Sequence, residues 1–410
     1  MKLGVLLIGA CSAAVFSTRT GQSLPITYVP SLPQYNQSSA AESVLSLHKA
    51  LVNIASVSGN EDTIAHWLKD YLESLHYHVH LQELPNPDVT SSTSITKRYN
   101  LLASQDSSLK TPILLTTHYD TVPPFTPYKR KYESGKHILY GRGSNDAKAS
   151  LAAQVVALTD LVRSDKLAAD KVSLLFVADE EVHGLGMRTA NSLNKDGQWK
   201  AVIFGEPTES RLITGHKGLA IFELIAKGRD AHSGYPWLGE SAIDMLIPVL
   251  VALRTAEVKL PSSKAVGNST LNIGTVQGGV AGNVVAAHAK AQVAIRVGGG
   301  TIDEVRSVIS TAVKEVDPRV QIQWSGNGYG PVICDTDIDG FELSSVNYGT
   351  DVPNLKGDHK RYLWGPGSIL SAHSDHESIE EQELIDAVSA YQKLVLGALQ
   401  SIEKGNKKDL

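Results

Sequence analysis

The sequence predicts an α/β protein: a mixed, mostly parallel sheet between helices, with a smaller α+β domain inserted into it. Three observations carry that expectation. Residues 113–117, 172–178 and 201–204 are short apolar runs without polar alternation, the texture of strands buried on both faces. Segments of helical period surround them, at 41–51, 61–75 and 147–162. From about Gly215 the texture changes: residues 219–226, 269–276 and 289–297 alternate as half-buried strands do, with helical stretches at 241–255 and 302–316. The inserted domain therefore spans 215–328. It divides the larger domain into 41–214 and 329–410, the second part ending in a helix over 380–399.

A chain of 410 residues exceeds one ordinary domain and agrees with this division. Apolar residues make up 42% and the formal net charge is −5, so the composition is globular and no basic tract invites nucleic acid. Residues 1–17 (MKLGVLLIGACSAAVFS) have a lysine, a short apolar run and small residues after it. They read as a signal peptide, too short for a membrane span, and predict a secreted, extracellular protein with no membrane anchor after their removal. Cleavage removes Cys11 and leaves Cys334 alone, so the mature fold rests on its core or on metals. Residues 18–40, rich in Pro, Ser and Thr, form an extended arm or pro-segment. Asn36 and Asn268 open glycosylation sequons, which suit export.

The chemistry collects at the ends of the three buried strands. The first runs into His118-Tyr-Asp120, the second into Asp179-Glu180-Glu181, and the third into Gly205-Glu206-Pro207-Thr208. Ligands of open α/β sheets gather beyond the carboxyl ends of strands. Acidic groups crowded there repel one another unless cations neutralise them. Asp146 stands at the entrance of the 147–162 helix, after the turn made by Gly141 and Gly143. Alone it reads as an N-cap; beside three ligand-bearing strand ends it becomes a candidate ligand. A metal-bound imidazole at His118 needs a partner for its other nitrogen, and Asp120, two residues on, is placed to supply one. Neighbouring Glu180 and Glu181 point apart in extended chain, so one can bind metal while the other faces substrate as a base. Near the C-terminus, Ala372-His373-Ser374-Asp375-His376-Glu377 follows the Gly365-Pro-Gly367 turn and offers two histidines. Imidazoles and carboxylates together suit zinc, with cobalt or manganese as substitutes.

In order, His-x-Asp, Gly-Arg-Gly-x-x-Asp-x-Lys, Asp-Glu-Glu, Gly-Glu-Pro-Thr and Ala-His-Ser resemble the co-catalytic di-zinc exopeptidases and deacylases. That family includes glutamate carboxypeptidase, aminoacylase, acetylornithine deacetylase and succinyl-diaminopimelate desuccinylase. The resemblance spans about residues 42–400. It implies a zinc-exopeptidase-like catalytic domain with an inserted lid and two zinc ions per chain. Asp146 would bridge them, with His118 and Glu206 completing one site and Glu181 and His373 the other. It also implies Glu180 as general base, Asp120 as the carboxylate orienting the metal-site histidine, and a cis peptide bond between Asp146 and Ala147. The segment Asp230-Ala-His232-Ser-Gly-Tyr-Pro236 resembles the lid motif whose histidine polarises the scissile carbonyl. Asn283 and Arg296 fall where the family holds substrate. In dimeric relatives the lid histidine serves the partner's site, so a homodimer through the lid is the matching expectation. Ala149 and His183 stand where the family often has glycine, and neither removes a ligand.

Together these features predict a secreted, zinc-dependent metallocarboxypeptidase that releases C-terminal amino acids from peptides. Glu206 favours this class, since aminopeptidases of the family tend to have Asp there. The alternative is an N-acyl-amino-acid hydrolase of the aminoacylase or acetylornithine deacetylase kind. More distant is a catalytically silent binding protein on the same fold.

Overall fold

The computed structural model describes residues 29–85 and 97–406. The expected signal peptide at 1–17, Cys11 and the first part of the 18–40 arm lie outside the described residues. Its centre is a six-stranded sheet in the order His78–Glu83, Tyr99–Ser104, Val172–Val177, Ile113–His118, Ala201–Phe204, Lys360–Leu363. The last four run parallel to one another, Tyr99–Ser104 is antiparallel to its neighbour Val172–Val177, and the edge strand His78–Glu83 is antiparallel to Tyr99–Ser104. The sheet is mixed and mostly parallel, with a separate inserted domain. That is the fold class the sequence predicts.

Both faces of the sheet are covered, which is why its strands carry apolar side chains at consecutive positions. Ile113, Leu115, Leu174, Phe176, Ala201, Ile203 and Tyr362 face one layer, formed by the helices Ala40–Asn53, Asp62–Ser74, Lys148–Arg163 and Glu381–Asn406. Leu114, Leu175, Val177, Val202, Phe204 and Leu363 face the other, with Met187, Trp199, Ile213, Val352 and Leu355. Each such side chain, fully buried, contributes roughly 1.5–3 kcal/mol. The Lys148–Arg163 helix lies within that first layer almost wholly buried, between the sheet and the neighbouring helices, so its small residues Ala149, Ala152, Ala153 and Ala157 let neighbouring backbones approach.

Ala147, not Asp146, occupies the position before this helix, and no side chain caps it. The Asp146–Ala147 peptide is cis. Asp146 thus differs from the N-cap reading: its carboxylate is turned away from the helix amides and toward His118 and His373.

The insertion is a four-stranded antiparallel sheet ordered Thr270–Gly278, His288–Val297, Gly218–Lys227, Gln321–Tyr329. Alternate residues Ala220, Phe222, Leu224 and Ala226 are buried against the helices Ala242–Ala256 and Ile302–Val316. Thr301 and Glu304 form a reciprocal capping box at the start of the second helix. The strand Leu212–His216, just before the insertion, pairs with Val332–Ile333 and Leu343–Val346 just after it, so both crossings are stitched together. A hairpin, Lys129–Glu133 with Lys136–Tyr140, pairs with Ser378–Glu380 and ties the segment before Gly141 to the one after His373. Among the described residues no helix is long and apolar enough to cross a membrane.

Candidate metal centre

The parallel strands Ile113–His118, Val172–Val177 and Ala201–Phe204 end at one edge, and there they deliver His118, Glu181 and Glu206. The loop 141–147 crosses the same edge. Gly141 has φ 144°, and a Cβ on it would lie 2.5 Å from Val52 Cγ1, so only glycine fits this close approach. From the loop Asp146 offers its two carboxylate oxygens to two different groups. Oδ1 lies 3.1 Å from His118 Nε2, which is 3.8 Å from Glu206 Oε2. Oδ2 lies 3.3 Å from His373 Nε2, which is 2.9 Å from Glu181 Oε2. The structure therefore assembles two trios, His118–Asp146–Glu206 and Asp146–Glu181–His373, each with ligand atoms within 4.8 Å of one another.

Neighbouring groups fix how these side chains point. His118 Nδ1 donates to the backbone carbonyl of Asp120 at 3.0 Å, which leaves Nε2 facing the carboxylates. The Asp120 carboxylate is farther, at 3.6 Å. It accepts instead from Ser58 Oγ at 2.7 Å and from the backbone N–H groups of Glu180 and Glu181 at 3.1 and 3.3 Å. Asp120 thus holds the histidine with its main chain and the Glu180–Glu181 turn with its side chain. Behind that turn, Arg98 bridges buried Glu61 and Asp179 at 2.6 and 2.8 Å.

The electrostatics fit a cation. Burial pushes the Glu181 and Glu206 carboxyls up to about 7 and Glu180 well above its usual range. Hydrogen bonds to Asp146 and Glu181 raise His373 to about 10. Burial alone would lower His118, but Asp120, Asp146 and Glu206 outweigh it and push the imidazole up. This cluster therefore gathers protons to balance crowded carboxylates. A divalent ion would take over that balance and release them, and the mix of imidazole and carboxylate donors suits one.

Glu180 sits beside the trios in a cleft of about 390 Å³ shared with Arg188, Arg296, Tyr329, Tyr348 and Asp351. Arg296 reaches it from the inserted sheet. His232 and Asn283 do not: both are exposed on the inserted domain, where His232 Nδ1 accepts from Gly234 N at 3.0 Å and Asn283 O accepts from Ser233 N. His376 is exposed and bonds Asp375 at 2.6 Å, leaving His373 as the histidine of its loop that faces the carboxylates. Asn268 lies exposed on a short strand, and the Asn36 side chain bonds Glu42 and the amide of Ser38.

Sequence reasoning missed the groups that brace the centre. Lys148 is fully buried and donates to the carbonyls of Leu51 and Ile54 at 3.0 and 2.9 Å, at the end of the Ala40–Asn53 helix. Arg142 and Glu377 form a buried pair at 2.8 Å. The Gly-Arg-Gly and His-Ser-Asp-His-Glu motifs contained both residues, but nothing in the sequence joined them.

A mixed α/β sheet with two clusters of metal-ligand type sharing one aspartate at its carboxyl edge, interrupted by an α+β domain, is the arrangement of a metallohydrolase. Comparison with known proteins agrees. The peptidase dimerisation domain of the M20 family matches residues 214–321. A probable carboxypeptidase of Aspergillus niger is 45% identical over 383 residues, 88% of this chain and 91% of that protein. Among solved structures, the M20 family metallo-carboxypeptidase Sso-CP2 of Sulfolobus solfataricus superposes with a TM-score of 0.66 at 18% identity, covering 87% of this chain and 99% of that one. A dinuclear metal binding peptidase of the M20 family from Bacillus subtilis gives 0.60 at 13%, covering 89% and 99%. The chain belongs to the M20 metallopeptidase family.

Proposed function

We propose that this protein is a secreted zinc carboxypeptidase that releases C-terminal amino acids from peptides. The observation that carries the reading is the shared Asp146, whose two oxygens face separate trios, with Glu180 beside them and Arg296 in the same cleft. His118, Asp146 and Glu206 would hold one zinc ion and Asp146, Glu181 and His373 another, and when bound these would supply Lewis acidity toward water and the scissile carbonyl. Cobalt or manganese suits the same donors. Glu180, with its carboxyl raised by burial, takes a proton from the attacking water and returns it to the leaving amine. Arg296 holds the substrate's terminal carboxylate by charge-assisted hydrogen bonds. Asp120 keeps His118 and the Glu180–Glu181 turn in register.

His232 and Asn283 face solvent in the single chain and serve a site only when the inserted domain moves or pairs with another copy. A homodimer through that domain is part of the proposal, supported by the dimerisation-domain match. The signal at residues 1–17 and the sequons at Asn36 and Asn268 support an exported glycoprotein.

A second reading rests on the same Arg296: N-acyl amino acids also end in a free carboxylate, so an N-acyl-amino-acid hydrolase uses the same anchor. The experiment is a substrate panel of peptides with free or amidated C-termini beside N-acyl amino acids. Release of C-terminal residues from free-ended peptides alone supports the proposal. Preference for the N-acyl amino acids selects the second reading, and equal cleavage of amidated peptides refutes both.

A further inference from the structure

The Arg142–Glu377 pair does more than bury two opposite charges. Each of the two residues is 3% exposed, and Glu377 Oε2 meets Arg142 Nη1 at 2.8 Å. Its other oxygen, Oε1, takes no part in that pair. It accepts from the backbone N–H of Asn145 at 3.1 Å and from that of Asp146 at 3.0 Å. The main chain of Glu377 joins in: its carbonyl accepts from Gly141 N at 3.2 Å and from Ser144 Oγ at 3.3 Å. One residue thus holds the loop 141–146 at five points, and the last is the amide of the aspartate common to both trios.

Glu377 also lies four residues after His373, on the same loop. Whatever holds Glu377 to Asp146 therefore holds His373 near Asp146 as well. A second tie runs alongside, from Asn145 Nδ2 to the carbonyl of Ser368 at 2.7 Å. It needs Gly367, because a Cβ there would fall 1.8 Å from Asn145 Oδ1.

From this geometry we infer that Glu377 is a positioning residue for the metal centre: through Oε1 it fixes the backbone from which Asp146 spans both trios, and through its own loop it sets the distance from Asp146 to His373. The inference rests on the reading that the trios hold metal ions. A plainer role is available, in which Glu377 only neutralises Arg142. The two differ in which oxygen matters. Neutralising Arg142 needs Oε2 and a charge; positioning Asp146 needs an acceptor at Oε1.

Paired variants separate them. In Glu377→Met/Arg142→Met both charges leave together, and replacing a buried ion pair by apolar groups of similar volume is often neutral for folding. That variant has no acceptor for the amides of Asn145 and Asp146. In Glu377→Gln/Arg142→Met the charges are again gone, but the amide oxygen can accept both N–H groups. Metal-free protein is titrated with zinc chloride in a calorimeter, with melting followed in parallel. The native chain is expected to take two zinc ions. The methionine pair should lose affinity for the Asp146–Glu181–His373 site by about 10- to 100-fold, the usual effect of removing a group that orients a ligand. The glutamine variant should bind both ions within about threefold of native. Native affinity in the methionine pair overturns the inference, as does equal loss in both variants, since the loss then follows charge and not the acceptor. Should the methionine pair fail to fold, the glutamine variant decides: weakened zinc binding there overturns it. A native chain that takes up no zinc overturns the metal reading together with this one.

Discussion

Glu206 is held in place by a contact that leaves no room for a methyl group. Gly365 continues the Lys360–Leu363 strand beside residues 204–208: its carbonyl accepts from Thr208 N and Ser210 N, and its N–H donates to Thr208 Oγ1 at 3.0 Å. A Cβ at position 365 would lie 2.3 Å from the backbone oxygen of Glu206 and 2.5 Å from Ser150 Oγ. The serine can rotate away, but the carbonyl cannot. Since a Cβ does not approach closer than 3.0 Å, Glu206 must retreat by about 0.7 Å in Gly365→Ala. Overpacking of this kind costs about 1–3 kcal/mol of stability. A misplacement approaching 1 Å in a catalytic constellation costs on the order of 10²-fold in rate. Gly274→Ala is the control, because its Cβ would meet only ordinary contacts, at 3.7 Å or more, and should change stability by less than about 0.5 kcal/mol. Thermal melting, zinc content and peptide hydrolysis are measured on both variants. Native-like melting and turnover in Gly365→Ala would refute the idea that the backbone at Gly365, just past the Lys360–Leu363 strand, places Glu206.

Three other outcomes are expected. Glu180→Gln should keep both metals yet lose turnover by roughly 10²–10⁴-fold or more, and near-normal turnover at full zinc occupancy would remove Glu180 from the role of base. His373→Ala should lose one zinc ion after dialysis while His376→Ala keeps two; loss from the His376 variant alone would reverse that assignment. Burial lowers the His48 imidazole to about 4 from an ordinary 6.5, with Nε2 donating to the Ser144 carbonyl and Nδ1 unpartnered. The folded chain therefore binds fewer protons than the unfolded chain between those values. Its contribution is full above pH 6.5 and is lost as pH falls toward 4. The metal-free protein should melt lower across that window, His48→Gln should flatten part of the slope, and an unchanged slope would count against it.

The buried strands were legible because two covering layers favour consecutive apolar residues, as in Ile113-Leu114-Leu115 and Leu174-Leu175-Phe176-Val177. His78–Glu83 was not, since an edge strand with half its side chains in water reads as HVHLQE, a polar stretch. Lys360–Leu363 hides the same way behind Lys360 and Arg361. At the centre, His118, Glu181 and Glu206 announce themselves by standing where buried strands end. Asp146 is harder, because an aspartate before a helix is ordinarily its cap. Partnerships are harder still. Two residues after a histidine, Asp120 suggests a carboxylate contact, yet the main-chain carbonyl makes the closer bond. Lys148 has the spacing of a surface lysine on a helix, and only the fold reveals two carbonyls waiting for it inside. Arg142 and Glu377 meet across 235 residues, a distance no local pattern spans.

If metal ions at the two trios that share Asp146 carry the proposed hydrolysis, turnover must follow metal occupancy. The most direct test is to strip the native chain with a chelator, return zinc in measured steps, and follow release of C-terminal residues from a free-ended peptide alongside bound metal. The proposed function predicts an inactive stripped protein, uptake saturating at two zinc ions per chain, and full turnover only as the second site fills. Saturation at one ion with full activity, or undiminished hydrolysis by the stripped protein, would contradict it.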